Sequence, residues 1–236
     1  TTTAAAAAGA GVAPLLSVSG LSAGYGTGKD GRPLALAVDG ADLALEPSSV
    51  LGIVGESGSG KSTLARAISG LLPPCAGAVS LAGRTLGGAV KDRSKDDLRR
   101  IQIVFQSPDV SLNPAQSVDD ILGRPLAFYF GVRGAEQRAE VARLLDMVRL
   151  PGSFASRRPH ELSGGQKQRI NLARALAARP DVILCDEITS ALDTIVTRSI
   201  IELLQELQST QKLAFAFISH DISTVASFSD QIVVMH

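Results

Sequence analysis

Apolar residues recur along this chain at two spacings. Residues 15–20 and 34–45 alternate apolar with polar, which predicts strands of an antiparallel sheet, with a polar, glycine-containing turn over 26–33 between them. Residues 50–54 are a short unbroken apolar run, the signature of a buried parallel strand. Residues 63–72 switch to helical spacing and meet a stop at Pro73 and Pro74. Residues 79–83 read as a short strand. Residues 101–105 read as a buried one, with charge before it and Ser107 and Pro108 after it. The run 91–100 carries eight charges of mixed sign and reads as a solvated helix start. From 117 to 150 the pattern is helical, with Val141, Leu144, Leu145 and Val148 on one face, and helix resumes over 164–178. Strands at 182–185, 213–218 and 232–235 then alternate with helices at 194–208 and 222–228. Such alternation implies a parallel sheet covered on both sides, so the fold class is α/β.

The most specific chemistry lies between the strand at 50–54 and the helix after it. Gly55, Gly60, Lys61 and Ser62 satisfy G-x-x-x-x-G-K-[ST]. Glycines let the backbone curl until successive N–H groups face inward, and the helix dipole adds positive potential at the same place. The loop residues Gly55, Ser57, Gly58, Ser59, Gly60 and Thr63 therefore line a phosphate cradle. Lys61 is placed to reach the β- and γ-phosphates of a nucleoside triphosphate, and Ser62 to hold Mg²⁺.

Three further strand ends carry polar groups, where active groups of such sheets collect. The strand 182–185 runs into Asp186 and Glu187. Asp186 suits Mg²⁺, which keeps several waters and takes few protein ligands. Glu187 suits a general base for the attacking water. The plainer reading of the pair, as a helix cap, loses ground once a phosphate loop precedes it. Gln106 follows the strand 101–105, where a neutral amide can contact Mg²⁺ and water without adding charge. His220 follows the strand 213–218, where an imidazole can bond the γ-phosphate. His160 reads instead as a packing or capping residue. Tyr25 is one of nine aromatic residues in the chain and either stacks on adenine or packs in the core. Residues 162–166 read Leu-Ser-Gly-Gly-Gln. Ser163 there predicts a helix cap, with the Gly164 and Gly165 N–H groups forming a second anion site beside Gln166. One phosphate loop has no use for two such sites, so this one is expected to serve a partner's nucleotide.

Composition narrows the setting. The 236 residues suit one large domain or two small ones. Lys plus Arg equals Asp plus Glu, 23 each, which argues against general nucleic-acid binding. No apolar run approaches the roughly 18–20 residues that span a bilayer, so any membrane crossing falls to another chain. Two cysteines, Cys75 and Cys185, cannot make a disulfide framework and are expected to be small buried residues. Residues 1–14 are rich in Ala and Gly and read as a linker or a cut edge. With a final strand that stops at residue 236, they suggest part of a longer polypeptide.

Taken in order, these motifs resemble the nucleotide-binding domain of ABC (ATP-binding cassette) transporters from about residue 15 to 236. The Walker A loop is 55–63, the Q-loop glutamine Gln106, the signature 162–166, the Walker B strand ends at Asp186 and Glu187, the D-loop is 190–193, and the switch histidine is His220. The resemblance implies a P-loop NTPase (RecA-like) core with an antiparallel β subdomain and an inserted helical subdomain at about 107–178. It implies ATP and Mg²⁺ held between two cassettes arranged head to tail, with Asp193 at that interface and Tyr25 on the adenine. The stretch 105–114, Phe-Gln-Ser-Pro-Asp-Val-Ser-Leu-Asn-Pro, resembles the oligopeptide, dipeptide and nickel importer ATPases, and their second ATPase subunit in particular. One departure is Ile188, where that subfamily has proline. The implied partners are a second ATPase domain on the same or another polypeptide, transmembrane permease subunits and an extracytoplasmic solute-binding protein. The implied place is the cytoplasmic face of a bacterial membrane.

Two rival classes are weaker. A soluble ABC ATPase acting on nucleic acid or ribosomes would carry a long arm or basic linkers, whereas 57 positions separate Gln106 from Ser163 and net charge is zero. A GTPase would carry Asn-Lys-x-Asp, which this chain lacks.

Overall fold

The computed structural model describes residues 13–26, 28 and 33–236. The alanine-rich start up to residue 12 and most of the turn expected at 26–33 lie outside the described residues. Among the described residues, nine strands form two sheets. Strands β1 (Leu16–Tyr25), β2 (Ala35–Leu45), β4 (Ala76–Leu81) and β5 (Arg84–Thr85) make an antiparallel sheet in the order β2-β1-β4-β5. Strands β3 (Val50–Gly55), β6 (Ile101–Val104), β7 (Val182–Asp186), β8 (Ala214–Ser219) and β9 (Gln231–Met235) make a parallel sheet in the order β6-β7-β8-β3-β9. Eight α-helices accompany them among the described residues: α1 (Lys61–Ser69), α2 (Lys95–Arg100), α3 (Pro108–Ser111), α4 (Val118–Phe130), α5 (Gly134–Met147), α6 (Gly164–Leu176), α7 (Thr194–Gln211) and α8 (Ile222–Phe228).

The parallel sheet divides the interior because its side chains alternate faces. Ile183, Cys185, Phe215 and Phe217 join a core with the long helices, where Phe217 meets Phe228 edge-to-face at 5.4 Å. Val182, Leu184, Ala214, Ala216 and Ile218 turn the other way, toward α1 and the antiparallel sheet. Burial on both faces explains why these strands read as continuous apolar runs.

Between β6 and β7 the chain is helical, and Val118, Leu122, Val141, Leu145 and Ile170 pack in the first of these cores. The helical pattern expected over 117–150 is built as two helices. Gly131, left-handed at φ 72°, caps α4, and α5 begins only at Gly134. The helix after the phosphate loop likewise ends earlier than the prolines suggest. Gly70, at φ 80°, returns its N–H to the Ala67 carbonyl and closes α1. Expectations about two other residues also change. Cys75 is exposed rather than buried, while Cys185 is fully buried and burial pushes its thiol pKa up. His160 is exposed in a short turn, Pro159–Glu161. The capping there is done by the Glu161 carboxylate, which accepts from the Arg158 N–H at 2.6 Å.

Candidate nucleotide site

Strands β3, β6, β7 and β8 are neighbours and parallel, so their carboxyl ends meet at one edge of the sheet. In register, Val54 pairs with Ser219 and Asp186 with Ile218. That alignment brings the loop after β3, Asp186 and Glu187 after β7, His220 after β8 and Gln106 after β6 to a common rim.

The loop is shaped by sterics. Gly60 sits at φ 93°, and a Cβ there would lie 2.3 Å from the Ala37 carbonyl oxygen, so only glycine fits. Lys61 begins α1 and is buried. Its ammonium donates to the carbonyls of Gly55 (2.8 Å) and Glu56 (2.7 Å) and lies 3.5 Å from Ser59 Oγ. No carboxylate pairs with it among the described residues. A buried cation held only by neutral dipoles, at a helix N-terminus, is a site for a multiply charged anion. Ser57 and Gly58 are exposed on the same loop.

The Ser62 hydroxyl donates to Asp186 Oδ1 at 2.8 Å. Asp186 is only 5% exposed. Burial raises its pKa, against the Ser62 hydrogen bond, and the adjacent Glu187 raises it further. A carboxylate that burial disfavours is one that a cation would stabilise. No cluster of three or more His, Cys, Asp or Glu capable of holding a metal exists among the described residues. Ser62 and Asp186 offer few ligands, all oxygen, as would suit Mg²⁺, which keeps several waters.

Glu187 takes a left-handed backbone, φ 51°, unusual for a residue with a side chain. Its N–H donates to the Ile218 carbonyl at 3.0 Å, and its Oε2 lies 3.5 Å from His220 Nδ1. Ile188, the departure in sequence, buries its side chain in the helical-side core. Gln106 is exposed and donates through Nε2 to Ser190 Oγ at 2.8 Å.

Tyr25 is 42% exposed at the end of β1, so it is not a core residue. Its hydroxyl lies 3.3 Å from Thr63 Oγ1 and accepts from Arg66 at 3.2 Å. The ring thus stands beside the first turn of α1. Tyr25→Ala is expected to weaken ATP affinity by about 1–3 kcal/mol, the worth of a base stacked on an aromatic ring. Isothermal titration checks it: unchanged affinity with a lower melting temperature would return Tyr25 to a packing role. Arg66 escaped the sequence reading. Its place four residues after Ser62 on a helix, hence on the same face, was the available signal.

The signature stands apart from these groups. Ser163 caps α6, accepting from the Gln166 N–H at 3.4 Å while Gln166 Oε1 accepts from the Ser163 N–H at 3.0 Å. A Cβ on Gly165 would lie 2.6 Å from Val196 of α7, so a glycine is needed where α6 meets that helix. Asp193 caps α7 by accepting from the Val196 N–H at 2.9 Å. Among the described residues no hydrogen bond joins 162–166 to the loop at 55–63. The N–H groups of Gly164 and Gly165 lie at the start of α6, apart from that loop.

A family model described as ABC transporter matches residues 38–190. The di/tripeptide transport ATP-binding protein DppF of Pseudomonas aeruginosa is 40% identical over 206 residues, covering 87% of this chain and 64% of that protein. The oligopeptide transport ATP-binding protein OppF of Salmonella typhimurium is 42% identical over 201 residues, covering 85% of this chain and 60% of that one. The chain spans about three-fifths of the length of the curated relatives it matches. Among solved structures, the ATP-binding cassette MJ0796, a dimer in a post-hydrolysis state bound to ADP and Pi, superposes with a TM-score of 0.80 at 31% identity, over 93% of this chain and 94% of that one.

Proposed function

The chain belongs to the ABC transporter family, and from that premise we propose that it is the ATP-binding and ATP-hydrolysing part of an importer, with peptides as the solute class. The observation that carries the hydrolytic part is the rim itself. A buried, uncompensated Lys61, a Ser62–Asp186 pair at 2.8 Å and a Glu187–His220 pair at 3.5 Å occupy the ends of adjacent strands. The peptide part rests on relatives named as di/tripeptide and oligopeptide transport ATP-binding proteins. Those names also disfavour a soluble ATPase acting on nucleic acid.

In this reading Lys61 and the N–H groups of the loop bind the β- and γ-phosphates, and Tyr25 supports the base. Ser62, Asp186 and Gln106 hold Mg²⁺, which supplies charge neutralisation at the phosphates when bound. Glu187 takes the proton of the attacking water, and His220 orients that water and the γ-phosphate.

Two surfaces suit the partners. A cleft of about 630 Å³ lies between the parallel sheet and the inserted helices. Its wall carries half-exposed Leu71 and Phe128 with Arg124 and Arg174, and Arg174 makes no ion pair among the described residues. Such a cleft takes an amphipathic helix bearing an acidic group, as a permease loop would offer. Ile195 (83% exposed) and Ile222 (65%) follow Asp193 and His220 closely in sequence. They suit the face of a second cassette, whose nucleotide would meet Ser163, Gly164, Gly165 and Gln166. We take 107–178 as the inserted helical subdomain of a domain spanning 15–236. No helix of the described residues is long and apolar enough to cross a membrane, so attachment to the cytoplasmic face of a bacterial membrane would run through the permease.

The test is to purify the full-length polypeptide from membranes and identify what accompanies it. Integral membrane subunits and peptide-dependent ATP hydrolysis are expected. Recovery with ribosomes or nucleic acid and no membrane protein would overturn the reading. In the same preparation, Ser163→Ala is expected to lower labelling of the partner's site by a photoreactive ATP analogue while the Lys61 loop still labels. The opposite pattern would refute the trans arrangement.

A further inference from the structure

We propose that Ser190 is a positioning residue that fixes which end of the Gln106 amide is available to the metal and holds the backbone of Glu187 in its left-handed turn. The proposal rests on the hydrolytic reading above.

Ser190 lies three residues beyond Glu187 and is bonded on both sides. Its N–H and its hydroxyl both donate to the Glu187 carbonyl, at 3.2 and 2.9 Å. Its Oγ accepts from Gln106 Nε2 at 2.8 Å. A serine hydroxyl has one proton. A backbone carbonyl only accepts, so that proton is committed to Glu187. Ser190 Oγ can then offer Gln106 only a lone pair. The amide must present its NH₂ to Ser190, and its oxygen, Oε1, stays without a protein partner among the described residues. Only that oxygen can ligate a cation. Were the serine hydroxyl free to turn, either end of the amide could face it and half of the orientations would hide the oxygen.

The same two donors bear on Glu187. A left-handed φ on a residue with a side chain is held by its surroundings rather than by its own preference. Here the Ile218 carbonyl takes the Glu187 N–H, and Ser190 takes the Glu187 carbonyl twice. The residue proposed as general base and the residue proposed to sense the metal thus share one hydroxyl, that of Ser190, which lies 84 positions from Gln106 in sequence.

The test combines kinetics with a measurement that needs no turnover. In the purified complex, Ser190→Ala should lower kcat about 10- to 100-fold with KM for ATP nearly unchanged, the scale of loss when a reacting group is misplaced. Ser190→Thr should restore most of it. Ser190→Ala combined with Gln106→Ala should be slower than either single variant but by less than the product of the two losses, because the two share the Gln106–Ser190 bond while Ser190→Ala also frees the Glu187 carbonyl. In the nucleotide-free full-length polypeptide, the ¹⁵N-labelled side-chain NH₂ signal of Gln106, assigned by its loss in Gln106→Ala, should shift in Ser190→Ala and return in Ser190→Thr. Multiplicative kinetic losses, or an NH₂ signal that Ser190→Ala leaves in place, would overturn the proposal. A wild-type complex that binds ATP without hydrolysing it would overturn the hydrolytic reading instead, and the positioning role with it.

Discussion

Glu187→Gln is expected to bind MgATP as the native chain does and to hydrolyse it about 10²- to 10⁴-fold more slowly, the range for a lost general base. Three observations single out this carboxylate. It follows the buried Asp186, whose own carboxylate is engaged by Ser62 at 2.8 Å and cannot serve as a free base. Its Oε2 lies 3.5 Å from His220 Nδ1 at the end of the adjacent strand. Its backbone is held in an uncommon conformation, the kind of strain that persists where neighbours enforce it. Glutamine keeps the shape and removes the basic oxygen, while nothing in the loop at 55–63 changes. Equilibrium ATP binding and single-turnover hydrolysis, both in the assembled complex, separate the two effects. Near-native turnover would show that another group takes the proton, and His220 would be the next candidate.

Lys61→Ala is expected to act the other way, on binding. Charge-assisted hydrogen bonds are worth about 1.5–3 kcal/mol each, so Kd for ATP should rise roughly 10- to 150-fold. The buried ammonium has only the carbonyls of Gly55 and Glu56 and the Ser59 hydroxyl for company. Its charge is therefore available to phosphate rather than spent on a carboxylate. Fluorescent-nucleotide titration checks the shift. Unchanged affinity would remove the phosphate cradle from this loop, and with it the whole assignment of the rim.

What the sequence made legible was the chemistry that is local in the chain. The loop at 55–63 declared itself because strand, glycines, lysine and helix follow one another, and Ser62 and Asp186 do meet in space. The inner strands of the parallel sheet, β3, β7 and β8, were legible because both of their faces are buried and the runs are unbroken. Boundaries set by single residues were not. Proline at 73 looked like the natural stop for α1, but Gly70 ends it three residues sooner by supplying a left-handed cap. Gly131 divides what reads as one helical pattern. Cys75 reads like its buried counterpart, yet it is exposed, and residue type alone does not decide that. The link from Gln106 through Ser190 to Glu187 joins segments 84 positions apart, and periodicity carries no information at that range. Arg66 was hidden for a similar reason, since its meeting with Tyr25 depends on how α1 rests beside β1.

The shared register of the parallel strands has a consequence for how this chain can change over evolution. Asp186 stands level with Ile218, and Val54 with Ser219. Each residue advances a strand by about 3.3 Å and reverses the face its neighbours show. A single codon lost from β7 would carry Asp186 and Glu187 off the rim and exchange Ile183 with Leu184 between two differently built cores. Variation in length is therefore confined to the connections, such as those after β5 or between α4 and α5. The strands leading to the rim are expected to keep one fixed residue count through descent, even where their apolar side chains are exchanged freely.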